Sequence, residues 1–209
     1  MLTVIFTTFA GLFSVVNPIG AMPVFLALTE GEEVKAKRKI ILKSGLALFS
    51  ILTIAYLFGN YIMSFFGISI PAMRIAGGLI ILNSGFALLK GEFAKNRAID
   101  KKIKKEAKTK DDISITPLAI PMLAGPGSIS YLIALSSNAN ITFNGHVSVV
   151  IVILLTGIAT VLTLLMSPFA LKFLGQAGFK SLSRILGFIV MSIGIQYILT
   201  GITTAKLFM

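Results

Sequence analysis

Asn17-Pro18-Ile19-Gly20 stands in the middle of an apolar run with no formal charge over residues 1–29, and Gly125-Pro126-Gly127-Ser128 interrupts a second run about 108 positions later. Proline has no N–H to donate and its ring clashes with the carbonyl four residues back, while glycine tolerates backbone angles that other residues resist. Both runs therefore read as helices that open near their middle. Two hydrophobic segments after each break comes an arginine-led helix, Arg74-Ile75-Ala76-Gly77 in the first half and Arg184-Ile185-Leu186-Gly187 in the second. Small residues follow at Gly77, Ser84 and Gly91 and again at Gly187, Gly194 and Gly201, an offset of 110 positions. A repeated unit opened each time by a broken helix is the pattern of a secondary transporter.

The composition agrees: of 209 residues 56% are hydrophobic and 13% charged, with mean hydropathy +0.92, which describes a polytopic membrane protein. Residues 44–73, 75–89, 113–171 and 185–205 are also free of formal charge, and about 20 residues cross the hydrocarbon. Polar turns near 60–71 and 136–146 divide the longer stretches. The expectation is an all-α protein of six transmembrane helices near 2–28, 40–63, 71–89, 114–136, 147–170 and 182–203. A charged linker, 90–112, joins a three-helix unit over 1–89 to another over 113–209. Three crossings being odd, the second unit must enter from the opposite side, which predicts two inverted repeats related by a pseudo-two-fold axis in the membrane plane.

Seventeen of the 19 basic residues fall in 35–43, 90–110 and 172–184. Such residues stay cytoplasmic, so both termini are expected outside the cell, in a cell membrane. Arg74 then faces out and Arg184 in, both as end anchors without a substrate role. A net charge of +11 and a pI near 10.0 invite a nucleic-acid reading. The linker also carries Glu92, Asp100, Glu106, Asp111 and Asp112, and no aromatic platform accompanies it, so the basic residues read as topology signal and as attraction to anionic lipid headgroups, with no nucleic-acid partner. The first run lacks a basic leader and reads as a retained span. With no cysteine, disulfides and thiolate chemistry are excluded.

An opened helix offers two kinds of end. The half that begins after the break presents free N–H groups and the positive end of a dipole, suited to a carboxylate, and the half that ends before it presents carbonyls suited to an ammonium or a cation. A small zwitterionic amino acid fits that pair. The candidate binding residues are Ser14, Asn17, Pro18 and Gly20 at the first break and Gly125, Pro126, Gly127 and Ser128 at the second. Asn83 and Gln196 add polar groups from other helices, where each either lines the path or bonds a neighbouring backbone. The hydroxyls of Thr156, Thr160, Thr163 and Ser167 share one helix face and are expected to bond back to the preceding turn or to a neighbouring helix rather than to line a substrate path.

All eight acidic residues lie in 30–33 or 92–112, so no intramembrane carboxylate is available as a proton relay. His146 reads as a surface residue at an outer loop end. A coupling cation would have to be held by carbonyls and hydroxyls; no resident cofactor or metal is implied. The residues of intramembrane hydrolysis are missing, so no enzymatic activity is expected. An exporter of other small metabolites, an ion channel and a non-transporting scaffold remain rivals.

The stretches 17–26 and 117–129, with the arginine-led helices after them, resemble the MarC family of integral membrane proteins over essentially the whole chain. The resemblance implies six helices and transport of small neutral amino acids such as glycine and alanine, with cation-gradient coupling in some members. Such sequences often carry an acidic residue before the first proline. This one carries Asn17, which does not titrate, so no proton-linked role is implied there.

Overall fold

The computed structural model describes residues 2–90, 113–137 and 143–206, and every regular element among them is helical. In chain order these are α1 (Leu2–Val16), α2 (Pro18–Leu28), α3 (Val34–Phe65), α4 (Ile70–Leu89), a π-helical segment (Ser114–Leu123), α5 (Pro126–Ser136), α6 (Phe143–Leu165) and α7 (Ser167–Lys206). Five stretches are long and apolar enough to cross a membrane: Thr3–Leu28, Val34–Phe65, Ile70–Leu89, Phe143–Leu165 and Ala177–Ala205. A sixth forms if the Ser114–Leu123 segment and α5, bent by 61°, make one span. The linker 90–112, beyond residue 90, lies outside the described residues.

Two helices start earlier than hydropathy suggests. α3 begins at Val34 rather than near 40, because Lys and Arg propagate a helix as well as apolar residues do, and hydropathy marks the bilayer, not the helix. α7 begins at Ser167 rather than near 182, with Gly175 breaking it at φ 62°, a left-handed conformation natural only to glycine. The stretch before Gly175 is helical but precedes the apolar span.

Side chains sort by solvent as a bilayer protein requires. Phe6, Phe65, Phe143 and Phe173 are 71–84% exposed, which suits lipid and not water. Leu12, Leu48, Leu52, Ile81, Leu132 and Ile153 are fully buried. α6 packs on α1, α2 and α3, and on it Thr156 and Thr163 donate to the carbonyls of Val152 and Ala159 at 2.7–2.8 Å, as hydroxyls in apolar helices do; Thr160, expected to do the same, is buried with no hydrogen-bond partner for its hydroxyl among the described residues, and Ser167 opens α7 and donates to Leu164 O at 2.7 Å.

The closest backbone approach joins α4 and α7. A methyl group on Gly85 would lie 2.6 Å from Met191 N and 2.8 Å from Gly187 O; one on Gly194 would lie 2.8 Å from Gly78 O and 2.6 Å from Leu82 N. Gly201 meets Pro71 O in the same way, at 3.0 Å, so the two helices run antiparallel with backbones touching. Of the small residues spaced by seven in α4, Gly77 and Ser84 are not the ones that meet α7. Gly78 and Gly85 face it, while Gly77 turns to α5, where an added Cβ would come 2.6 Å from Ser130 Cβ. Successive residues point about 100° apart around a helix, so the Gly77-Gly78 pair serves two neighbours at once. The contacts Gly78–Gly194 and Gly85–Gly187 exchange under a shift of 109 positions, one fewer than the sequence stripes suggest.

Candidate functional site

At the first break the chain leaves the helix for a single residue. Asn17 adopts φ 51° and ψ 59°, a left-handed conformation that asparagine tolerates better than most residues. Its N–H still donates to Phe13 O at 2.8 Å, Ala21 N–H donates to its carbonyl at 3.3 Å, and its side-chain Oδ1 accepts from Gly20 N–H at 3.2 Å. Asn17 is thus the N-cap of α2, with Pro18 in the first-turn position where a missing N–H costs nothing. A Cβ on Gly20 would collide with the Asn17 amide, so Gly20 makes room for the cap. Ser14 donates to Ala10 O at 2.7 Å. The break expected here is present but only one residue long: α1 and α2 continue as one span, because the asparagine amide takes over a bond that the proline disrupts.

One polar atom is left over. Asn17 Nδ2, in a residue 4% exposed, has no hydrogen-bond partner among the described residues.

The second break is longer and sharper. Thr116 and Ile120 have extended backbone inside the Ser114–Leu123 segment, Ile120–Pro121 is cis, and Ala124 N–H reaches back five residues to Ala119 O at 2.8 Å. Pro117 and Pro121 cannot donate N–H groups, so a regular ladder is impossible there. α5 then starts at Pro126 with Gly125 as an N-cap that has no side chain to give. Ile129 N–H bonds Gly125 O at 3.1 Å, which leaves the N–H groups of Gly127 and Ser128 without an intrahelical acceptor. Ser128 Oγ turns back to Gly125 O at 3.0 Å and Leu123 O at 3.4 Å, tying the two halves together.

This open helix start faces α1. Gly127, Ser128 and Gly125 line a small cavity with Val15 of α1, Ile81 and Ser84 of α4 and Val190 of α7. Its volume is about 10 Å³, the room of one water. A Cβ on Gly127 would lie 3.1 Å from Ile81 Cγ1 and 3.4 Å from Val15 Cγ1, and one turn away a Cβ on Gly11 would meet the Tyr131 hydroxyl. α1 therefore runs antiparallel to α5, two residues short of its own break where it reaches the cavity. Asn17, Pro18 and Gly20 do not line the cavity, and Ser14 stands beside its Val15 wall.

Asn83 and Gln196 sit elsewhere. Asn83 is exposed on α4. Gln196 Nε2 donates to Thr200 Oγ1 at 3.3 Å and lines a separate pocket of about 140 Å³ with Arg74, Ala134, Leu135, Tyr197 and Thr200. Between the two spaces stands a stacked pair, Tyr131 and Tyr197, with ring centroids 5.3 Å apart and planes at 21°; Tyr197 OH donates to Tyr131 O at 3.3 Å. Sequence reading passed over both tyrosines, because aromatic residues at helical spacing look like core. Their one signal was position, Tyr131 three residues beyond Ser128 and Tyr197 beside Gln196. His146 is more than a loose surface residue, since its Nδ1 lies 2.7 Å from Tyr56 OH and links α6 to α3.

The family profile described as "MarC family integral membrane protein" matches residues 2–206. The UPF0056 membrane protein YhcE of Escherichia coli K12 is 33% identical over 199 residues, covering 95% of this chain and 92% of that protein. YvbG of Bacillus subtilis is 35% identical over 207 residues, covering 97% and 95%, and a UPF0056 membrane protein of Methanocaldococcus jannaschii is 36% identical over 199 residues, covering 95% and 96%. No solved structure matches.

Proposed function

Because the chain belongs to the MarC family of integral membrane proteins, we propose that it is a secondary carrier of small neutral amino acids such as glycine and alanine, working by alternating access. In this reading residues 1–89 and 113–209 are inverted repeats, the basic segments are cytoplasmic and both termini lie outside. The α4–α7 glycine contacts that exchange under a constant shift, and the antiparallel pairing of α1 with α5, support the repeat.

The observation that carries the proposal is the uncapped start of α5. Gly127 and Ser128, whose N–H groups lack an intrahelical acceptor at the positive end of the helix dipole, line a cavity that Val15 of α1 also walls, and a carboxylate is the ligand such a terminus prefers. Glycine walls admit a small solute and exclude a long side chain. At about 10 Å³ the cavity is too small for glycine itself, so this conformation is closed and α5 must part from α1 to load. The carbonyls that end the Ser114–Leu123 segment are suited to the ammonium group, and a coupling cation would use such carbonyls and hydroxyls too.

The test is counterflow of radiolabelled glycine in proteoliposomes, with sodium and proton gradients imposed separately. Saturable exchange that unlabelled alanine competes supports the carrier. Ion current without solute saturation would instead make the protein a channel.

A further inference from the structure

We propose that the pocket around Arg74 is an entry vestibule for the carboxylate of a small solute, held off from the α5 cavity by the Tyr131–Tyr197 pair. This deepens the carrier reading and rests on it for the identity of the solute.

Three helices build both spaces at the same interval. Ile81 and Arg74 on α4, Ser128 and Leu135 on α5, and Val190 and Tyr197 on α7 each line the cavity and the pocket in turn, seven residues apart, or about 10 Å of helix. The two are consecutive chambers of one seam. Tyr131 lies between them on α5, 9% exposed, and its hydroxyl reaches across to Gly11 of α1, the one residue type that leaves room for it. With Tyr197 stacked on it, the pair spans from α1 to α7 over the cavity.

Among the described residues Arg74 carries the only formal charge lining the pocket. Its guanidinium has five donors, and among the described residues its one hydrogen bond is from Nη1 to Thr204 Oγ1 at 3.3 Å. No Asp or Glu occurs in residues 34–91 or 113–206, so among the described residues of α4, α5 and α7 no carboxylate side chain is present to act as its counter-ion. A half-buried arginine in an open space of about 140 Å³, beside the hydroxyl of Thr200 and the amide of Gln196, is chemistry for a carboxylate and for the polar group next to it. The same cation at a lipid interface would also attract a headgroup phosphate. The pocket favours the solute, because it opens between α4, α5 and α7 and has buried Ala134 in its wall.

The natural absence of cysteine makes the test direct. Thr200→Cys in phospholipid nanodiscs is labelled with an anionic and with a cationic methanethiosulfonate of similar size. The anionic reagent should react about tenfold faster, since one nearby charge acts on the two with opposite sign. Arg74→Gln should remove that preference and Arg74→Lys should keep it. Acetate and glycine should slow labelling, and ethanolamine should not. A preference indifferent to Arg74→Gln overturns the vestibule. So does protection by acetate seen in maltoside micelles but lost in phospholipid nanodiscs, which would give the pocket to a headgroup. For the plug, Ser128→Cys should label about tenfold faster when Tyr131→Ala or Tyr197→Ala is added, and unchanged rates with both would overturn it. None of these readings needs transport: charge preference and acetate protection without glycine counterflow would sink the carrier reading and leave the pocket standing, and the converse would sink the pocket alone.

Discussion

At the first break Asn17 turns its own amide onto the first turn of α2 and the span continues; at the second, Gly125 has no side chain to offer and α5 begins with two N–H groups that have no intrahelical acceptor, in residues that line a cavity. Proline and glycine disrupt both helices, yet a single capping side chain decides whether the disruption becomes a site. Ser128 shows the difference from the other side, because its hydroxyl is spent on Gly125 O and Leu123 O and leaves the backbone N–H groups free. A hydrogen-bonding side chain beside a break can therefore close it as readily as equip it.

The largest expected effect tests the open break. Gly127→Leu would drive a side chain into the space between Ile81 and Val15, and initial glycine uptake in proteoliposomes should fall about 100-fold while the protein still inserts, with steric exclusion at a binding site as the cause. Uptake unchanged within a factor of two would remove α5 from the mechanism. Gly85→Leu tests the scaffold that holds the breaks together: forcing α4 from α7 should cost about 3 kcal/mol, read as a lowered midpoint of thermal unfolding in detergent.

The closed break predicts a smaller pattern. Asn17→Ala should cost about 2 kcal/mol, combining a lost cap with a left-handed residue that has a Cβ, whereas Asn17→Gly keeps the backbone at ease and should cost under about 1 kcal/mol. If Asn17 serves only as a cap, Asn17→Gly leaves the KM for glycine within about threefold. A tenfold rise would assign the unpaired Nδ2 to the substrate and make the two breaks parts of one site. Smallest of all, Tyr56→Phe removes the bond to His146 and should cost about 1 kcal/mol, measured by the same unfolding assay, with no change in transport.

Much of the architecture was legible because hydropathy is set by solvent. Charge-free stretches of membrane length located the spans, and proline without an N–H located both interruptions. The capping was less visible: Asn17 looked like a ligand because the side chain that satisfies a helix start and the side chain that binds a solute are of the same type. The glycine stripes were legible only to within one residue, since Gly77 and Gly78 are interchangeable until their neighbours are known. Gln196 and Asn83 shared a polarity but not a location, which depends on which face of α4 and α7 looks inward.

The order of apolar runs, glycines and prolines by itself determined that this chain is an all-helical membrane protein interrupted at two places, because those properties belong to single residues and their covalent geometry. Only the tertiary structure decided which interruption stays open, which glycines touch and that two tyrosines lie between a cavity and an arginine. Those outcomes depend on contacts between segments far apart in the chain, where one Cβ more or less determines how closely two helices approach.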